Sequence, residues 1–208
     1  MRFSSSKLAK PSLLLLCSAF FAGGALAAPS AAERRIDFDP SSSVLKWEAK
    51  KVTGQHHGTI RLRSGNVVFR GDQLVGGDFS IDMTSIVDED LTDPEYNHKL
   101  VHHLSSEDFF DAAKYPTSDL KIRSAKTVHG FTGPTYEVTA DLTIKGKTNE
   151  VKFPAMIKTK DGKTTATANI TLDRTRWGLK YRSGKFFPSI GDKMIYDDFK
   201  LDVSLSTK

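Results

Sequence analysis

The sequence predicts an all-β protein, an antiparallel barrel-like domain with one or two short helices inserted between strands. Three observations carry this expectation. Apolar and polar residues alternate with period two along most of the chain, Gly, Asp or Pro punctuates most gaps between the alternating runs, and a single stretch, from about Asp93 to Ala113, departs to helical spacing. Successive strand side chains point to opposite faces, so each run presents one dry and one wet face.

The amino terminus has a different character. Arg2, Lys7 and Lys10 stand there without an acid, an apolar run from Leu13 to Phe21 follows, and Ala25 and Ala27 flank Leu26. This is the pattern of a secretory signal peptide, residues 1–27, with cleavage expected before Ala28. The run falls short of the roughly 20 residues a membrane span needs, so no stable membrane anchor is expected. Cys17, the only cysteine, lies in this leader behind Leu16, where a lipoprotein signal calls for a small residue. Residues 28–208 are expected to form one exported domain without cysteine, whose stability rests on an apolar core rather than on disulfides.

The formal charge of +5 dissolves on closer reading. Removing the leader's three cations leaves 27 basic residues against 25 acids. The signs are interspersed, as in Asp197-Asp198-Phe199-Lys200, and no stripe tracks a phosphate backbone, so no nucleic acid partner is expected.

The clearest strand is Thr135 to Ile144, with Tyr136, Val138, Ala140, Leu142 and Ile144 on one face and Thr135, Glu137, Thr139, Asp141 and Thr143 on the other. The same alternation marks Leu45 to Lys50, Phe79 to Met83, Ala166 to Leu172 and Phe199 to Leu205, and more weakly Thr59 to Arg63, Val67 to Phe69, Asp119 to Arg123 and Val151 to Ile157. About nine such strands can bury their apolar faces only in a sandwich or by closing on themselves. Pro94 opens the helical segment with Asp93 as its cap and Tyr96, Leu100 and Leu104 at helical spacing, and a short turn from Glu107 to Ala113 presents Phe109 and Phe110. A membrane barrel with its apolar face outward would want longer strands and aromatic girdles.

Four motifs in order then identify a family. Asn97 to Pro116 contains His103-Leu104, Ser106, Asp108 to Asp111 and Lys114 to Pro116; Asp141 to Thr148 reads DLTIKGKT; Asp173-Arg174 is followed by Trp177-Gly178-Leu179; and Ile36 to Pro40 precedes Ser43 and Trp47. Together these resemble the YceI-like family, over about residues 36–180. The resemblance implies an extended lipocalin-like antiparallel barrel in the periplasm that holds a polyisoprenoid, an isoprenoid quinone or another long-chain amphiphile, with no cofactor. Family members often carry a His before the Ser of the first strand, where this chain has Ser42, so no role of that His carries over.

The inward residues Trp47, Phe79, Ile81, Leu120, Ile122, Val138, Leu142, Phe153, Ile170 and Leu172 either pack against each other as a filled core or line a cavity. Composition favours the filled core, and the resemblance reverses that order. With Phe109, Phe110 and Trp177 they form the expected ligand-lining set. A barrel of about eight strands has room for its own side chains or one slender ligand, and each buried CH₂ contributes roughly 0.8 kcal/mol. His103 is expected to hydrogen-bond at the barrel mouth. Arg174 has two readings, a surface ion pair or a contact to a phosphate or phenol headgroup. Phe186 and Phe187, in the breaker-rich loop Tyr181 to Lys193, either form a lid or plug one end.

His98 and His102 stand four apart on the expected helix beside His103, but no third ligand is fixed by spacing; His56-His57 read as a turn and His129 as loop, so no metal is expected. Ser105, Ser106, His103 and Asp108 are close in sequence without a nucleophile elbow, so no catalytic residue is assigned and a carrier is expected rather than an enzyme; a small periplasmic hydrolase is the alternative reading. The oligomeric state, a homodimer included, stays open.

Overall fold

Period-two patterning over the whole domain leaves each strand with an apolar face to bury, and the chain solves this by closing. The computed structural model describes Met1 and residues 32–128 and 135–208. His129 and the leader beyond Met1 lie outside the described residues. The described residues from 32 onward belong to one compact unit.

Among the described residues nine strands follow in order: β1 (Glu33–Phe38), β2 (Val44–Lys51), β3 (Gly54–Arg70), β4 (Gln73–Asp88), β5 (Thr117–Val128), β6 (Thr135–Ile144), β7 (Lys147–Lys160), β8 (Lys163–Asp173) and β9 (Ile195–Ser206), with helix α1 (Pro94–Ser105) between β4 and β5. All are antiparallel to their neighbours, and the order β3-β2-β9-β8-β7-β6-β5-β4 closes through a β3–β4 pairing into an eight-stranded barrel. β1 lies outside that ring and pairs with the second half of β3, taking over where β2 ends. Thr59 to Arg63 and Val67 to Phe69, expected as two strands, are one continuous β3, and His56-His57, expected at a turn, lie within it, paired with Ala49 and Glu48 of β2. The ladder runs on through Ser64 to Asn66, where Ser64 is exposed and Asn66 is buried, donating Nδ2 to Asp78 O at 3.1 Å.

Turn chemistry sets the registers. Lys145 and Gly146, then Asp161 and Gly162, take successive positive φ angles (48° and 70°, 51° and 78°), the two-residue hairpin geometry that matches strand twist. β6 pairs with β7 over its full length, from Thr135↔Met156 to Ile144↔Lys147.

Two seams open at one end of the barrel. β7 and β8 pair only from Ala155↔Ala168 outward, and β4 and β5 only across Gly77–Asp82. Pro154, which has no N–H to give a ladder, stands where β7 leaves β8. The first seam is bridged by the 3-10 turn Arg174–Trp177, through Asn149 Nδ2 donating to Arg176 O and Arg176 Nη2 donating to Glu150 O. The second is flanked by α1 and the turn after it, with Met83 N donating to Pro116 O.

The helix begins as expected. Asp93 accepts hydrogen bonds from the backbone N–H groups of Glu95 and Tyr96, and Pro94 follows it. Tyr96, expected on the apolar face, is 62% exposed; Leu104 is the helix residue that packs on the core. Of the two helices allowed for, one is an α-helix, and Glu107 to Phe110 is a turn. The apolar faces point inward and the outward residues of β6 are Glu137, Thr139, Asp141 and Thr143, the inverse of a membrane barrel's arrangement. Among the described residues no helix is long and apolar enough to cross a membrane.

Candidate functional site

The inward faces do not meet. They enclose a cavity of about 210 Å³ whose walls are almost wholly apolar. Trp47 and Leu45 reach it from β2, Phe79 and Ile81 from β4, Leu120 and Ile122 from β5, Val138 and Leu142 from β6, Phe153 from β7, Ile170 and Leu172 from β8, and Phe109 and Phe110 from the turn after α1. Twelve of the expected lining residues are therefore on the wall. Directly paired residues share a face, which is why Phe79↔Leu120↔Leu142 and Val138↔Phe153 form continuous apolar bands around the barrel.

Trp177 is the exception. It is fully buried but does not line the cavity; its indole fills the β7–β8 seam, donating Nε1–H to Leu142 O at 2.9 Å. Met83, Ile86, Phe199, Leu201 and Val203 also line the cavity and were not in the expected set. The signal for the β9 three was present in the alternation from Phe199 to Leu205. Met83 and Ile86 lie where β4 passes its pairing with β5, a position no local pattern marks.

Arg174 lines the cavity at 5% exposure, neither on the surface nor free for a headgroup. Its Nε donates to Tyr196 O (3.1 Å), Nη1 to Leu179 O (2.7 Å) and Nη2 to Ile195 O (3.0 Å), while Asp197 Oδ1 lies 3.2 Å away as an ion-pair partner without hydrogen-bond alignment. Burial draws the guanidinium pKa down from its ordinary value, and Asp197 and Asp173 oppose that. Arg174 thus staples the segment after β8 to the start of β9. The polar group that does face the cavity unsatisfied is Ser118 Oγ, buried and without a hydrogen-bond partner among the described residues. Ser118 pairs with Ile81 and so shares its inward face.

His103 stands outside the cavity, with Nε2 3.2 Å from Asp108 Oδ2 and its ring edge-on to Phe109 and Tyr181 at 5.0 and 4.6 Å. It braces the turn that carries Phe109. Phe186 and Phe187 are 39% and 51% exposed and do not line the cavity; Lys180 Nζ sits 4.5 Å over the Phe186 ring. Ser105 Oγ donates to Val101 O and Ser106 Oγ to His103 O. Both hydroxyls are spent on helix carbonyls, and neither forms a nucleophile–base pair with His103. His98 and His102 stack on each other at 6.2 Å, with no third ligand grouped beside them among the described residues.

Fold and cavity together define a class, a closed lipocalin-like antiparallel barrel around an apolar interior. Within that class, residues 37–207 match the YceI-like domain, and the chain belongs to the YceI-like family. Similar solved structures include Burkholderia cenocepacia BcnA, 21% identical with a TM-score of 0.65, covering 82% of this chain and 99% of that one. A polyisoprenoid binding domain from Saccharophagus degradans implicated in plant cell wall breakdown is 12% identical with a TM-score of 0.57, covering 82% and 95%. The Campylobacter jejuni YCEI protein is 18% identical with a TM-score of 0.51, covering 92% of both chains. The comparison with curated proteins found no match.

Proposed function

We propose that this protein is an exported, periplasmic carrier, not an enzyme, that holds one long-chain amphiphile of the polyisoprenoid, isoprenoid quinone or fatty-acid class in the barrel lumen. The observation that carries the reading is the lumen itself, an apolar cavity inside a closed barrel whose wall offers Ser118 as its unsatisfied polar group. Each methylene moved from water to that wall contributes roughly 0.8 kcal/mol, so a chain binds without a charged handle. The Saccharophagus neighbour binds polyisoprenoid, which supports the ligand class. Ser118 Oγ receives the polar head, a role Arg174 cannot fill while its donors are held by carbonyls.

Organic extraction of freshly purified protein followed by mass spectrometry tests this. A stoichiometric long-chain compound is expected. Protein that yields none, and that takes up no polyprenol or fatty acid from a supplied pool, is not a carrier.

A further inference from the structure

Asp88 is buried to the point that its side chain has 0% exposure, yet half of its carboxylate is unsatisfied. Oδ1 accepts from the Leu91 backbone N–H at 2.9 Å and from Asn97 Nδ2 at 3.1 Å. Oδ2 has no hydrogen-bond partner among the described residues. Bare buried carboxylate oxygens are costly and rare. This one faces His56 Nδ1, 4.0 Å away, and that same nitrogen lies 3.0 Å from Asp90 Oδ2. The ligand atoms of the three residues all lie within 4.8 Å of one another. Asp90 is aimed by the His57 backbone N–H, which donates to its Oδ1 at 2.8 Å.

We propose that His56, Asp88 and Asp90 form a binding site for one divalent transition cation, Zn²⁺ being the best match. One imidazole nitrogen and two carboxylates with a position left for water suit zinc, whereas calcium and magnesium favour all-oxygen shells. Bonds of roughly 2.0–2.2 Å in a tetrahedral site place ligand atoms about 3.3–3.6 Å apart, and the observed 3.0 and 4.0 Å separations bracket that spacing. The competing occupant is a proton shared between Asp88 and Asp90, since two facing carboxylates do not both ionise cheaply. With a shared proton His56 Nδ1 still hydrogen-bonds Asp90 Oδ2 at 3.0 Å but stays 4.0 Å from Asp88 Oδ2; a cation engages all three.

The site ties three elements together at the seam end of the barrel. Asn97 of α1 donates to both Asp88 O (2.9 Å) and Leu91 O (3.2 Å), Glu89 N donates to His57 O, and the Trp47 indole donates to Val87 O at 3.1 Å. A bound cation therefore pins the start of α1 and the β3–β4 pair beside a residue that lines the lumen. This holds whatever the lumen carries.

Untagged protein freed of metal with a chelator and titrated with zinc chloride by calorimetry tests the site, with melting curves recorded with and without zinc. One equivalent is expected to bind and to raise the melting temperature. His56→Ala and Asp90→Asn, each checked for a native fold by circular dichroism, are expected to weaken binding at least tenfold. His98→Ala and His102→Ala should bind as the wild type does. A wild type that takes up no zinc, with no change in melting temperature, would mean the carboxylates share a proton and the proposal is wrong. Zinc binding that survives His56→Ala, or that disappears in His98→Ala or His102→Ala, overturns it as well.

Discussion

Trp177, fully buried, donates its indole N–H to the carbonyl oxygen of Leu142, 2.9 Å away, and so joins the turn after β8 to the end of β6 across the seam that β7 and β8 leave. It does this from behind the cavity wall. Trp177→Phe is expected to cost about 1–3 kcal/mol by removing a buried hydrogen bond and part of the indole's packing, while the extracted ligand stays at its wild-type amount. Urea unfolding and mass spectrometry read the two separately. A stable variant that emptied of ligand would place Trp177 in the lumen instead.

Val138 is 1% exposed on the wall of the lumen. Val138→Trp is expected to fold with its melting temperature little changed and to lose extractable ligand, because the indole takes the ligand's space. In a filled core the same volume overpacks and costs roughly 1–3 kcal/mol. Comparing melting curves and extracts of wild type and variant, purified in parallel, decides between the two.

Arg174 satisfies three carbonyls and faces Asp197 at 5% exposure. Arg174→Met leaves those acceptors and a partly buried carboxylate without their cation, and a loss of about 3–5 kcal/mol is expected. Because buried pairs are little screened, 1 M salt should not reproduce the loss in the wild type. Equal unfolding midpoints for variant and wild type would mean that the bonds of Arg174 add nothing net to stability.

Phe109 is 7% exposed, with its ring 5.0 Å from His103 and 5.5 Å from Tyr181. Phe109→Asp buries an unpaired charge and is expected to abolish the cooperative thermal transition, whereas His103→Ala should lower the midpoint only modestly. Near-UV circular dichroism during melting checks both. Similar midpoints would show that the turn after α1 contributes little to closing the barrel.

The Asp39 carboxylate is held below its ordinary pKa of 3.8 by hydrogen bonds from the hydroxyls of Ser41 and Ser42 and from the Ser41 N–H. A depressed folded-state pKa means a contribution that is present above 3.8 and lost as pH falls through the lower folded value. Asp39→Ala should therefore melt below the wild type at neutral pH, with the gap closing in acid. A gap that persists unchanged at pH 2 would assign the effect to packing.

Much of the lumen was legible because a strand has only two faces. Once Val138 and Leu142 are read as inward, their cross-strand partners Phe153 and Leu120 are inward too, and the alternation in each run says so on its own. The helix start was legible from Asp93 and Pro94, since capping is a local event. Loop aromatics carry no such rule. Phe186 and Phe187 are open to two readings in the sequence, a lid or a plug of one barrel end, and their rings are exposed and off the cavity wall.

By itself, then, the sequence determined the all-β class, the inward faces of the strands and the family, all of which follow from periodicity, turn residues and contiguous motifs. The tertiary structure alone decided that eight strands close while β1 stays outside, that Trp177 seals a seam, that Arg174 is spent on carbonyls, and that His56 meets Asp88 and Asp90. Each of these depends on which strand ends beside which. Registers, bulges and the points where ladders stop are set by the closure of the whole barrel, and side chains distant in sequence meet only after that closure is made.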